Sequence, residues 1–329
     1  ASGHTTGNNI PYFQDDRETL AKNVDMSLDD FNAFIEKSRE KLFKVREKRI
    51  HPLKDDKILT DWNGLMIAAL SQGGQILGDD VYIDAAKNAV NFVLESLRDK
   101  NGRLLKRSRL GKAGLQPHLD DYSFMVFGLL NLYEATFDPS YLASALELTE
   151  IMIEDFSDKN GGFFIGSKDA EKLMVRAKDS YDGAIPSGNS VAALNLFRLG
   201  KITGNTKWTD LGYSTLKAFT DKAKQSPTGF AHMLTAFMFD FKNPKEVVLV
   251  GDSNDPETQK IISAIRKNYS PNKVILFKDV SNPDALLQVA PWTKDHVMIN
   301  GSPTFYICEN FACKQPTISL DLAMKYINE

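Results

Sequence analysis

The sequence predicts a mainly α-helical protein, a toroid of α/α hairpins followed by a small C-terminal α/β domain. Three observations predict it. Helical segments come in pairs that recur at roughly 60-residue intervals, the mark of a repeat architecture. The first helix of each pair is apolar nearly all round and rich in small residues, as a helix covered on both sides must be. The second carries a charged face, as an outer helix does. After Pro244 the texture changes to short β-branched runs alternating with helices, which implies a sheet with helices against it.

The elements follow in order. Residues 1–26 read as a loop-like opening segment. Residues 27–48, "SLDDFNAFIEKSREKLFKVREK", form an amphipathic helix with Ser27 as cap, Asp30 at the third position and an apolar stripe of Leu28, Phe31, Phe34, Ile35, Leu42 and Val45. The hairpins fill 27–243. An inner helix begins near Asp61 and its partner follows Gly78. The second pair begins at "LDDYSFMVF" and continues at "PSYLASALE"; the third begins at "SGNSVAALN" and continues at "TKWTDLGYS". "GFAHMLTAFMFDF" opens a fourth. The longer joins carry "RLLKRSR", "GGFFIG" and "KLMVRAKD", candidates for small hairpin strands. Residues 244–329 form the α/β part, with strands at "EVVLVG", "KVILFK", "HVMING" and "PTFYIC", a helix at "DPETQKIISAIRKNY" and a closing helix at "ISLDLAMKYINE".

Composition bounds the function. With 329 residues, 42% hydrophobic, 25% charged and a net charge of -3, the chain is globular and holds one large domain or two smaller ones. Its 40 basic and 43 acidic residues leave no footprint for nucleic acid or an anionic membrane. No apolar run approaches the roughly 20 residues that span a bilayer, and the polar opening lacks the apolar core of a signal peptide. Two cysteines make no disulfide scaffold, so a cytoplasmic setting is expected. The loop-like start without Met suggests part of something longer.

In a toroid the N-termini of the inner helices share one end of the ring, so their first turns should converge on one mouth. Those positions are Asp61, Trp62 and Asn63; His118, Asp120, Asp121 and Tyr122; and Ser187, Asn189 and Ser190. Carboxylates beside aromatic platforms suit a polyhydroxylated ligand, which offers hydroxyls for hydrogen bonds and a C–H face for stacking. Each residue also has a plainer reading. Asp61, Asp120, Ser187 and Asn189 are good N-cap types, and Trp62 reads more readily as a core wedge than as a platform. Adjacent Asp120 and Asp121 cannot both cap one helix, which admits an acid/base pair with one pKa raised. The helix dipole acts the other way and lowers both.

The segment "VRAKDSYDGAIPSGNS" (175–190) joins Arg176, Lys178, Asp179, Tyr181 and Asp182 to Ser187 and Asn189 through turn residues, and reads either as a shaped loop over the mouth or as a solvated connector. "SGNS" is no nucleophile elbow, and "GDSND" lacks both phosphate-loop patterns. Cys308 and Cys313 form a C-x4-C pattern without two further ligands or a His close in sequence, so no metal is expected. The C-x-x-C redox spacing is absent. They are expected to be buried or half-buried thiols, with a redox pair the lesser alternative.

"REKRIHPLKDDKILTDWNGLMIAAL", "LDDYSFMVFGLLNLYEATFD", "GGFF", "VRAKDSYDGAIPSGNSVAALNLFRL" and "CENFACKQPT" together closely resemble the thioredoxin-domain-containing family of spermatogenesis-associated protein 20 and its bacterial and archaeal relatives. The resemblance covers nearly the whole chain. It implies a six-hairpin (α/α)6 toroid similar to N-acylglucosamine 2-epimerases and toroidal glycosidases, then a small α/β region. It also implies that this chain corresponds to the C-terminal portion, without the thioredoxin-like domain or the first toroid helices. "GHTTGNNIPY" resembles a segment from the middle of the family. The ring would then be incomplete, and association could cover its open face. The family supplies no settled reaction.

The leading expectation is a carbohydrate-active or carbohydrate-binding protein whose mouth is built from Asp61, Trp62, Asn63, His118, Asp120, Asp121, Tyr122, Arg176, Asp179, Tyr181, Asp182, Ser187 and Asn189. Asp120 or Asp121 would be the acid/base, with His118 the other candidate. Trp62 and Tyr181 would stack on the ligand and Arg176 would orient it. No cofactor or metal is expected, and no nucleic-acid or membrane partner. The alternatives are a redox-linked or chaperone-like protein-binding module, or an inactive scaffold.

Overall fold

The structure, a computed structural model, describes residues 12–171 and 174–329. The opening residues of the 1–26 segment, and Lys172 and Leu173 of the third strand candidate, lie outside the described residues. Two compact units divide after Asp56.

The first unit holds α1 (Arg17–Asn23) and α2 (Leu28–Arg46). The first helix corrects the expectation of a loop throughout 1–26. Asp16 caps it, its carboxylate accepting from the Thr19 amide and hydroxyl, each at 2.9 Å. It stops at Val24, after which Asp25 turns left-handed. The second helix starts as predicted, with Ser27 Oγ accepting from the Asp30 amide at 3.1 Å.

The second unit begins with β1 (Ile58–Leu59) and α3 (Thr60–Leu77), followed by α4 (Asp80–Ser96), β2 (Arg107–Arg109), β3 (Lys112–Gly114), α5 (Leu119–Thr136), α6 (Pro139–Phe156), α7 (Gly188–Thr203), α8 (Thr206–Gln225) and α9 (Ala231–Phe241). The packing is that of α/α hairpins in a toroidal arc. α3 lies against α5, α5 against α7 and α7 against α9, while α4, α6 and α8 each pack on the helix before them. One turn recurs between inner and outer helix: a left-handed residue, then an Asx cap. Gly78 precedes Asp79, Phe137 precedes Asp138, and Gly204 precedes Asn205. The left-handed residue ends one helix and the Asx side chain starts the next, so the chain reverses with no spare residue.

Glycines let α3 and α5 approach. A Cβ on Gly64 would stand 2.4 Å from the carbonyl carbon of Phe124, and one on Gly128 would stand 2.7 Å from the carbonyl oxygen of Gly64. Backbone cannot yield as a side chain can. Gly64→Ala is therefore expected to cost about 1–3 kcal/mol, measured as a fall in the denaturant midpoint at unchanged slope.

The joins are less regular than predicted. "RLLKRSR" does contribute a strand, and β1, β2 and β3 form a small antiparallel sheet. "GGFFIG" makes only isolated bridges, Ser157 to Phe163 and His118 to Gly166, and residues 174–179 of the third candidate are not a strand.

The chain ends with β4 (Lys245–Gly251), α10 (Pro256–Lys267), β5 (Lys273–Asp279), α11 (Pro283–Leu287), β6 (Thr304–Glu309), β7 (Ala312–Cys313) and α12 (Leu320–Asn328). The sheet order is β5-β4-β6-β7, with β4 parallel to β5 and antiparallel to β6. Both parallel strands are buried along most of their length, hence their unbroken apolar runs. The strand expected at 296–301 is a turn instead, because Asn300 and Gly301 are both left-handed. The sheet shares one core with the arc: the Phe277 amide donates to the Tyr133 hydroxyl at 3.2 Å and Lys201 pairs with Glu246 at 2.9 Å. Among the described residues no helix is long and apolar enough to cross a membrane.

Candidate functional site

The starts of α3 and α5 meet around Lys106, which was not among the expected site residues. Lys106, one residue before β2, extends its amine to Asp61 Oδ2 at 2.6 Å and Asp121 Oδ1 at 3.2 Å. Its backbone carbonyl accepts from the Thr60 amide at 3.1 Å, which pins the strand to the first turn of α3. Asp121 also accepts from the Asp61 amide at 3.1 Å and the His118 amide at 2.7 Å, so both its oxygens are engaged. Asp61 is not the cap of α3, which begins at Thr60; its Oδ1 accepts from the Trp62 amide at 2.8 Å.

Two carboxylates thus share one ammonium away from water. Burial pushes the Asp121 carboxyl up to about 7, more than Lys106 and the His118 amide pull it down, and the Asp61 charge adds to the rise. Burial alone would lower Lys106, but Asp121 and Asp61 outweigh it and its pKa is raised. For His118, burial and then Lys106 lower the pKa, against Asp61, so the imidazole is neutral at neutral pH.

Asp120 is placed differently. It is only partly buried and points across to α7, where a Cβ on Gly188 would stand 2.3 Å from its Oδ1. Burial raises its carboxyl to about 6. Lys106 and the Gly188 amide oppose the rise, and Asp61 and Asp179 add to it. The folded value exceeds the model-peptide value of 3.8, so the native state holds a proton that the unfolded chain releases. The stability from this group is complete below that lower value and is lost as pH rises through about 6. Asp120→Asn is therefore expected to stabilise the protein by about 1–3 kcal/mol at pH 7.5 and by almost nothing at pH 4, compared by denaturant unfolding at both pH values.

The remaining candidates divide. Trp62 is 60% exposed, not the core wedge that the sequence favoured, and Tyr181 is 63% exposed. Tyr122 is a correction: fully buried, it packs on Phe156 and accepts from the Leu104 amide at 3.0 Å, so no ligand reaches it. Asn189 is likewise enclosed, accepting from the Phe163 amide at 2.7 Å and donating to the carbonyls of Phe163 and Asp179 at 2.9 and 2.7 Å. Ser187 caps α7, its Oγ accepting from the Ser190 amide at 3.2 Å. Asp182 ties the 175–190 loop to α9, accepting from the amides of Ser187, His232 and Met233. Arg176 lies 4.0 Å over the Phe164 ring and donates to the Gly166 carbonyl at 2.8 Å. Asn63 donates to the Leu59 carbonyl and Asp179 accepts from the Tyr181 amide. The loop is thus braced by its own polar residues while most of it stays exposed.

Away from the mouth, between α3, α5, α7 and α9, lies a cavity of about 830 Å³. Phe127, Asn131, Arg198 and His232 line it, together with residues 268–273. Burial lowers His232, and its Nε2 is buried without a hydrogen-bond partner. The cavity does not include the acids of the mouth.

Cys308 and Cys313 are a disulfide, which corrects the expectation of thiols. Their sulfurs and a nitrogen of His296 lie within 4.8 Å of one another, the metal-like grouping found among the described residues. The bonded sulfurs offer no pair of thiolate ligands.

No protein-family model matches the chain. The chain is 32% identical over 326 residues to spermatogenesis-associated protein 20 of Homo sapiens, covering 95% of this chain and 41% of that protein. The Rattus norvegicus protein of the same name is 32% identical over 327 residues, covering 96% and 41%. The chain therefore spans about two fifths of the length of these relatives. A GH76 α-mannanase of Bacteroides thetaiotaomicron is 19% identical with a TM-score of 0.48, covering 66% of this chain and 59% of that one. A cellobiose 2-epimerase of Bacillus thermoamylovorans is 17% identical with a TM-score of 0.42, covering 51% and 46%.

Proposed function

We propose, for a chain that belongs to the family of spermatogenesis-associated protein 20, that the mouth binds a polyhydroxylated, sugar-like ligand and that Asp120 exchanges a proton with it. The observation that carries the reading is the contrast between adjacent carboxylates. Asp121 is sealed and saturated, whereas Asp120 is partly exposed, is opposed by the Gly188 amide and titrates near 6. A carboxyl that holds its proton close to neutrality suits general acid/base work on a hydroxyl or glycosidic oxygen. Trp62 is the residue after Asp61, and Tyr181 lies two residues after Asp179, the two carboxylates whose charges act on Asp120; their exposed rings are the stacking platforms of this reading. His118, neutral beside it, is the second proton acceptor.

The pairing of Asp61, Asp121 and Lys106 favours a second reading, a scaffold that binds without turnover. A thermal-shift screen of the chain against monosaccharides, disaccharides and sugar phosphates tests the first. At least one sugar should raise Tm in proportion to the logarithm of its concentration, and Trp62→Ala should abolish the rise. Silence from every sugar, or an unchanged rise in the variant, would sink the proposal. Binding without conversion of the bound sugar would leave the scaffold reading.

A further inference from the structure

The hairpin of β6 and β7 turns on Asn310 and Phe311, both left-handed at φ 50° and 62°. Such a two-residue turn matches the twist of the strands, and it sets Cys308 directly opposite Cys313, to which it is bonded. Phe311 is held in this conformation by its amide, which donates to Glu246 Oε2 at 3.1 Å, and by the Trp292 ring at 5.2 Å. The two sulfurs stand in different surroundings. Cys308 is buried in the sheet, and Cys313 is exposed on the edge strand.

His296 Nε2 lies 3.9 Å from Cys313 Sγ. The imidazole is fixed there, edge-on to Tyr306 at 4.2 Å and to Trp292 at 5.5 Å. Its turn is fixed too: the amine of Lys278 donates to the carbonyls of Thr293, Lys294 and His296 at 2.8, 2.7 and 2.8 Å. Burial lowers the imidazole pKa. Lys278 lowers it further, and the Thr293 carbonyl and Asp295 act against it, so the ring is a free base at neutral pH. A staple would gain little here, since the loop closed by the bond is very short and chain-entropy stabilisation grows with loop length. Exposed disulfides, by contrast, are the exchangeable ones.

We propose that Cys308 and Cys313 are a reversible dithiol–disulfide couple in which Cys313 exchanges with a small thiol or disulfide and His296 is the base beside it. In the reduced protein His296 Nε2 takes the proton of Cys313. The thiolate attacks one sulfur of a disulfide RSSR, the S–S bond breaks, and the departing RS⁻ takes that proton and leaves as RSH. Cys308 then gives its proton to His296 and attacks Cys313 Sγ. The mixed disulfide breaks, and the second RSH leaves with that proton. The protein dithiol loses two electrons and RSSR gains them; two equivalents of thiol run the sequence backward. The couple is independent of the sugar-like reading of the mouth.

Equilibration of the whole chain in glutathione buffers, followed by alkylation and mass measurement, tests the couple. The pair should titrate as one two-electron couple while Tm shows the protein folded. In Cys308→Ser, Cys313 should form a stable mixed disulfide with glutathione disulfide. Adding His296→Gln should slow that reaction at pH 7 by about tenfold or more and move its rate profile to higher pH. If Cys308→Ser fails to fold, the reduced wild type should still be alkylated at Cys313 before Cys308. A disulfide that opens only on unfolding, a rate indifferent to His296, or the opposite order of alkylation would overturn the proposal.

Discussion

Replacing Lys106 by methionine is expected to lower the stability of the second unit by about 3–5 kcal/mol, the usual loss when one partner of a buried ion pair is removed. The loss is large because two carboxylates, not one, are left without their cation. Asp121 is fully buried and Asp61 nearly so, and Lys106 is what makes their closeness tolerable. The same change should loosen the mouth, since the chain just before β2 is fastened to α3 through the Lys106 amine on Asp61. Denaturant unfolding measures the first effect. The triple variant Lys106→Met, Asp61→Asn, Asp121→Asn is the control: with no charge left to bury, it should lie closer to wild type than the single variant does. A single variant as stable as wild type would mean the triad is solvated and the mouth differently built.

Asn189→Ala should cost about 3 kcal/mol or more, because alanine leaves the Phe163 amide and the carbonyls of Phe163 and Asp179 without their buried partner. A structural loss is expected together with a local one. The 175–186 loop hangs from Asn189 at Asp179 and from α9 at Asp182, so releasing the first tie should make that loop the earliest site of limited proteolysis. Uniform resistance of the loop in the variant would show that its other ties, at Arg176, Lys178 and Asp182, secure it without Asn189.

The helical arc was legible because burial on both sides leaves its mark on composition. α5 and α7 are apolar nearly all round and α8 is not, and a chain cannot hide that difference. The recurring turn was half legible: Gly78 and Gly204 announce a left-handed residue, but Phe137 in the same role does not, since the Phe277 ring packed on it comes from β5. α1 escaped because seven residues show no period.

Lys106 escaped for a different reason. In "RLLKRSR" a basic run looks solvated, yet Lys106 lies in phase with buried Leu104 and Ser108, on the inward side of an extended segment. That phase was the available signal. Asp120 and Asp121 were both read as candidate acids, and sequence could not divide them; the division comes from which side of the helix faces β2 and which faces α7. Asn189 and Tyr122 have polar groups suited to ligands, and the fold spends those groups on its own backbone. The cysteine pair was misread because Asn310 and Phe311 are not the usual turn pair, so a five-residue separation did not read as two facing positions of a hairpin.

The central claim, a sugar-like ligand stacked at the mouth beside Asp120, is tested most directly by tryptophan fluorescence. The chain has 3 tryptophans. Trp208 is buried and Trp292 lies partly within the core, leaving Trp62 as the exposed reporter. Titrating the sugar with the largest thermal shift should change the emission saturably in wild type. The change should vanish in Trp62→Phe, and Asp120→Asn should shift the midpoint to higher concentration. A saturable change that survives Trp62→Phe, or none at any sugar concentration, would contradict the account.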